Sequence, residues 1–219
     1  MNRFINAVLL FFTLITAFAA IYVGFDLPFG ILKTTGSEIP YIDYVFHGLG
    51  LFLFLIIFRR SYQRWMAIRI VSRKEKFKWN QPVSKERKVR IIIYNLLEFF
   101  VYVFAACAIY WLTDRAWAPV VALLFAALDN LILSALNKTY RVGLTSKAII
   151  VADREVVVLY FTGLRKVSVH QQTVYFDYIK DLQLSFPTNC LPADQQSEFF
   201  DTLEQQVDRD KVYFSKTDK

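Results

Sequence analysis

Cysteine, histidine and methionine each occur only twice in this chain of 219 residues, glycine seven times and proline six. One possible pair of thiols, Cys107 and Cys190, cannot build the framework of a small disulfide-rich secreted domain. Neither cysteine has the near neighbours that a zinc site needs. The two histidines, His47 and His170, stand far apart, and no metal site or cofactor is indicated. Also missing are a phosphate loop, a dinucleotide fingerprint, a nucleophile elbow and an HExxH helix. With no internal repeat and no catalytic motif, the chain is read as non-enzymatic.

What the sequence has in excess is apolar surface. Hydrophobic residues make up 55% of the chain and aromatics 17%, which excludes a disordered protein. The excess is concentrated in residues 4–25, 41–58, 91–112 and 116–136, each close to the ~20 residues that cross a ~30 Å hydrocarbon layer as a helix. These segments hold no Lys or Arg and three acids, Asp43, Glu98 and Asp129. The expected fold is therefore an α-helical integral membrane protein with four transmembrane helices. The first segment competes with a signal peptide, since Asn2-Arg3 resembles its basic start and Ala17-Phe18-Ala19 its cleavage site. The apolar run continues through Phe25, well past the usual ~7–15 residues, so an uncleaved anchor is expected.

Charge sets the orientation. Residues 59–90 carry twelve Lys or Arg and two acids, whereas 26–40 and 113–115 carry one basic residue each. The positive-inside rule places 59–90 in the cytoplasm, and with it both termini, at the inner (plasma) membrane. Residues 137–219 hold equal numbers of basic and acidic residues, so the net charge of +7 originates before them. A nucleic-acid partner is not indicated: the charge sits in a loop pinned to the bilayer. Within that loop Arg59, Arg60, Arg64, Arg69, Arg73, Lys74, Lys76 and Lys78 alternate with Trp65 and Trp79, among other aromatics. Aromatics inserted at headgroup level beside cations on anionic lipid have this composition. Orientation signal with snorkelling side chains explains it equally well.

After residue 138 the pattern changes to short β-branched and aromatic runs: 148–151, 156–161, 167–169 and 174–178. Turn residues separate them, so a small antiparallel sheet or barrel is expected. A Pro-rich break at 187–192 precedes a helix over 193–207, with Phe199, Phe200, Leu203 and Val207 on one face. Residues from Asp208 onward are expected to fray. The tail, 137–219, is expected to fold as a domain by itself. Its stretch from Tyr140 to Val151, the pair Arg165-Lys166 and the run Val174 to Leu182 resemble bacterial membrane proteins with a cytoplasmic pleckstrin-homology-like (PH-like) domain, over residues 139–207. The resemblance implies a β module capped by a C-terminal helix. The chain has fewer clear strands than that family and no concentrated basic cluster in the tail, so a binding or assembly module is implied more than a lipid-headgroup receptor.

Glu98 and Asp129 are the sharpest local signals in the spans. A carboxylate at a helix centre costs roughly 2.5–3.5 kcal/mol on translocon scales and so faces protein or water. Both lie about 10 Å from the cytoplasmic end of their segments, given 1.5 Å rise per residue. Asn95, Glu98, Tyr102 and Ala105 share one helical face; Ala118, Ala122, Ala126, Asn130 and Ser134 recur every four residues as a small stripe that lets helices approach. The two faces are expected to meet, with His47 a possible addition. With no matching cation inside the spans, the acids read either as a protonated, hydrogen-bonded pair, as partners of Arg60, Arg87 or Arg90 reaching in, or as an ion-handling site. Three functions follow: an interaction module held at the membrane through anionic lipid and a protein partner or a second copy; a small proton or ion transport subunit; an accessory subunit of a membrane enzyme complex.

Overall fold

The computed structural model describes residues 2–29, 34–136, 140–154, 156–208 and 211–215. In chain order the elements are α1 (Asn2–Gly24), β1 (Pro28–Phe29), β2 (Thr34–Thr35), α2 (Ile42–Val71), β3 (Trp79–Pro82), α3 (Lys85–Leu112), α4 (Trp117–Ala135), β4 (Arg141–Leu144), β5 (Ala148–Ala152), β6 (Val156–Tyr160), β7 (Leu164–His170), β8 (Thr173–Tyr178), β9 (Gln183–Pro187), α5 (Gln196–Gln206) and β10 (Tyr213–Ser215). Four helices are long and apolar enough to cross a membrane. The first three outrun the apolar runs that signal them or stop near their ends. α2 continues through Arg59 and Arg60 to Val71, because a helix ends where its backbone loses partners, not where its side chains become polar. At the start of α3 the Ser84 hydroxyl accepts the Arg87 N–H at 3.2 Å, satisfying one of the donors that every helix start leaves open. Pro119 sits in the first turn of α4, where its missing N–H breaks no helical bond.

The chain divides into two compact units. The first comprises residues 1–62 and 93–135 and contains most of the four long helices. Its interior is made of small and aliphatic side chains and one fully buried aromatic, Phe46. Leu9, Leu53 and Ile57 pack with Ala122 and Ala126, and Ala20, Phe46, Ala106, Ile109 and Leu123 form a second cluster. Gly50 explains the closeness of α2 and α4: a Cβ there would lie 2.6 Å from the Ala118 carbonyl carbon and 2.7 Å from the Pro119 nitrogen. Ala118, Ala122 and Ala126 thus lie where the small stripe is expected. The outward surface of this unit is apolar, with Phe4, Phe100, Phe104 and Trp111 all largely exposed.

The second unit comprises residues 63–92 and 136–219. The tail is therefore not a separate body as expected; Gln63–Ile92 belongs with it. The reason is a ladder. β3 lies antiparallel to β4, pairing Trp79 with Leu144 and Pro82 with Arg141. Two four-stranded sheets result, β3-β4-β5-β6 and β10-β7-β8-β9. No ladder joins them among the described residues, so the strands form two sheets and not a closed barrel. β6 and β7 are consecutive yet fall in different sheets, because the chain turns away at Gly163, whose φ of 80° suits glycine. α5 presses Phe199 and Leu203 into the shared core with Trp79, Phe176 and Phe186. Within the stretch expected to fray, Tyr213–Ser215 adds a parallel strand beside β7 and Val212 is buried, while 209–210 and 216–219 lie outside the described residues. β9 was also illegible as a strand, since Gln183–Pro187 reads as the approach to the Pro-rich break.

Trp79 is 4% exposed and meets the Phe199 ring edge-on at 5.0 Å. A fragment of residues 138–219 lacks β3 and this indole. It is expected to give a collapsed, poorly dispersed amide NMR spectrum, and Trp79→Ala in the full chain is expected to cost about 3–5 kcal/mol of stability. A well-dispersed spectrum from the fragment would show that β3 is dispensable.

Candidate functional site

In the first unit, α2, α3 and α4 converge on a polar cluster. The Arg60 Nη2 donates to Glu98 Oε2 at 2.7 Å, and its Nη1 donates to the Tyr102 hydroxyl at 3.2 Å. Asn130 Nδ2 donates to the same Glu98 oxygen at 3.1 Å. From the next residue of α2, the Ser61 hydroxyl donates to Asp129 Oδ1 at 2.7 Å. The Ser134 hydroxyl closes onto the Asn130 carbonyl at 2.8 Å. Asn95 is fully buried and Asn130 and Asp129 nearly so. The acids therefore do meet through their helices, but they are not a pair without a cation. The helical extension of α2 brings Arg60 to Glu98, so this partner comes from the residues just beyond the apolar run. Chemically the cluster is a compensated ion pair wrapped in neutral donors. An ionised carboxylate only accepts hydrogen bonds, and Glu98 has a guanidinium and an amide to accept from.

His47 does not join it. Its ring bonds the Asp43 carbonyl through Nδ1 and stands edge-on to Trp117 at 5.1 Å. That is about 20 Å from Arg60 along α2, at 1.5 Å per residue. Asp43 faces Arg115 at 3.9 Å, both substantially exposed.

The basic residues of 59–90 separate into three groups. Arg59, Arg69, Arg73, Lys76 and Lys78 are exposed, and Trp65 is at the margin of exposure. Arg60 is committed to Glu98, and Arg64 is only 4% exposed, so neither is presented to a lipid surface. Trp79 lies in the sheet core, which removes it from the headgroup candidates. The Lys74 side chain lies outside the described residues. Arg69, Arg73 and Lys76 line one recess of about 200 Å³ with Met66 and Ile70.

The second unit has its own polar contacts. Arg87 donates through Nε to Asp153 Oδ2 at 2.8 Å, with its Nη2 2.6 Å from the same oxygen. The Cys190 thiol lies 3.5 Å from that oxygen, and the Ser84 hydroxyl donates to the Asn189 carbonyl at 2.6 Å. Burial pushes the Cys190 thiol up, and the Asp153 charge pushes it the same way against the opposing pull of Arg87. This clamp fastens the start of α3 to the β5–β6 turn and the segment after β9. Sequence reasoning missed it, because Asp153 reads as an ordinary turn residue and its partners lie far away in the chain. Elsewhere, a groove of about 560 Å³ is lined by Phe161, Leu164, Val207 and Val212 together with Lys147, Arg165 and Asp208. Lys211, also at the groove, pairs with Asp208 at 2.7 Å.

No family model, curated protein or solved structure matches this chain. No group of three or more potential metal ligands occurs among the described residues.

Arg60→Ala should destabilise the helical unit by about 3–5 kcal/mol, because it leaves Glu98 charged without its cation. The double change Arg60→Met with Glu98→Leu should cost less than Arg60→Ala alone, as read by denaturant unfolding in detergent. Equal losses would show that the pair contributes nothing beyond packing. In the folded chain a maleimide at pH 8 should leave buried Cys190 unlabelled until unfolding.

Proposed function

We propose that this chain is a non-enzymatic, multi-pass protein of the plasma (inner) membrane that carries a PH-like interaction module on the cytoplasmic side. The observation that carries this is the β3–β4 ladder. It fastens the loop between α2 and α3 to the segment after α4, so both belong to one compartment. That loop holds twelve basic residues, and short loops with this bias remain cytoplasmic. The apolar outward face of the four long helices supports insertion, since monomeric soluble proteins rarely leave so large an apolar surface uncovered. Two four-stranded sheets with a C-terminal helix in their core support the PH-like resemblance.

The role of the module is to bind a protein partner. Lys147 and Arg165 line the same groove as Phe161, Leu164 and Val212 and have no ion-pair partner among the described residues. A partner segment with an apolar residue beside acids complements that arrangement. The transport alternative draws on Glu98 and Asp129, and the partners those acids already have favour a structural role for them.

Cross-linking capture of the full chain from its native membranes tests the proposal. One partner should be held at fixed stoichiometry and fall at least tenfold in Lys147→Glu with Arg165→Glu. A partner indifferent to that reversal contradicts the groove. A proton or cation flux in proteoliposomes, abolished by Glu98→Gln with Asp129→Asn, contradicts the proposal as a whole.

A further inference from the structure

We infer that the recess formed by Met66, Arg69, Ile70, Arg73 and Lys76 binds the phosphate-bearing headgroup of an anionic phospholipid, and prefers a headgroup with two negative charges to one with a single charge. The inference rests on the membrane-anchored function proposed above and gives it a defined lipid site.

The recess is built where α2 ends. Arg69 and Arg73 are four residues apart and so project along one side of the helix. The chain then folds back: the Arg73 N–H bonds the Ile70 carbonyl at 3.1 Å and the Lys76 N–H bonds the Arg73 carbonyl at 3.2 Å. This turn brings Lys76 to the same recess. Three cations therefore face one small space, and none of them has an ion-pair partner among the described residues. Elsewhere the chain pairs its converging charges: Arg60 with Glu98, Arg87 with Asp153, Lys211 with Asp208. Like charges gathered without a counter-ion repel one another, and an anion seated among them removes that repulsion. Matching three positive charges favours more than one negative charge in the ligand.

Two further features select a lipid. About 200 Å³ is below the ~300–1,000 Å³ typical of sites that enclose a whole small molecule, so a headgroup fits and the rest of the ligand lies outside. Trp65, Met66 and Ile70 are exposed along the same side of α2 and give the recess an apolar flank, which acyl chains can follow. α2 has 30 residues and is about 45 Å long at 1.5 Å per residue, close to the ~40–45 Å thickness of a bilayer with its headgroups. A helix that begins at one interface thus delivers its last turn to the headgroup layer of the other. Arg64 and Trp79, which composition alone would include, are excluded by burial.

The test uses the full chain in phosphatidylcholine nanodiscs doped with phosphatidylglycerol or cardiolipin. Native mass spectrometry counts the lipids that stay bound on release. The parent should retain cardiolipin in preference to phosphatidylglycerol. The variant Arg69→Gln, Arg73→Gln, Lys76→Gln should retain at least tenfold less. The charge-matched control Arg59→Gln, Lys78→Gln, Arg90→Gln should stay within twofold of the parent. Should the triple variant misfold by circular dichroism, Ile70→Glu, which keeps all three cations and opposes an anion beside them, is expected to show the same loss. Equal losses in variant and control, or none in either recess variant, overturn the site. Displacement of the lipid by millimolar inorganic phosphate overturns the lipid as its source. A chain that fails to partition into membranes at all contradicts the function proposed above; a chain that partitions normally but shows no selective retention contradicts only this site.

Discussion

Four residues, Trp79 to Pro82, lie antiparallel to Arg141–Leu144, and the second unit depends on that ladder to include the basic loop. Between the two strands the chain makes a long excursion through α3 and α4. Closing so long a loop is entropically unfavourable, although the penalty grows only slowly with length. It is offset by what the ladder brings together. Trp79 enters a core with Phe176, Phe186 and Phe199, and Asn80 accepts from the Arg141 Nε at 2.6 Å. A loop that composition marks as an orientation signal becomes, through these contacts, the first strand of a folded unit.

The two units solve different problems with the same chemistry. In the helical unit the polar groups are few; Thr13, Thr16 and Ser134 turn back onto their own helix, and the acids take partners from neighbouring helices. Glu98 takes its bonds from α2 and α4 together, and Ser61 answers Asp129. Small residues make this possible: Gly50 against Ala118 and Pro119 lets α2 and α4 approach, and long polar side chains can then meet. In the sheet unit the core is large and aromatic, and the buried Asp153 is held by Arg87 while Cys190 packs beside it. Breaking either ion pair strands a charge, so both pairs fasten the elements that carry them.

Much of this was legible in the sequence, and the exceptions share a cause. The four long helices follow from runs of apolar residues without Lys or Arg, and β5 to β8 from β-branched runs between turns, because those signals are local. α5 follows from the spacing of Phe199 and Leu203. β3 was not legible: Trp79-Asn-Gln-Pro has neither alternation nor a β-branched run, and its strand conformation is imposed by a partner far along the chain. β10 is a strand for the same reason, beside β7. At the polar cluster, Glu98, Asp129, Asn95 and Asn130 were visible as polar residues in apolar runs. The cation was visible only as one of three that could reach in, because Arg60 sits outside its run and the continuity of α2 is what brings it, and not Arg87 or Arg90, to Glu98. The exposed cations could not be told from the buried ones either, since Arg64 and Arg69 look alike until helix faces and tertiary contacts are fixed.

The central proposal, that the basic loop and the tail belong to one cytoplasmic unit of a membrane-spanning protein, is tested most directly by cysteine accessibility. In a Cys107→Ala background, single changes Ser72→Cys, Ser146→Cys and Asp114→Cys, all at exposed positions, would be treated with a membrane-impermeant maleimide. Asp114→Cys should label in intact cells with the outer face accessible. Ser72→Cys and Ser146→Cys should both label only after permeabilisation. Labelling of those two positions from opposite sides would contradict the account, and so would labelling of either one in intact cells.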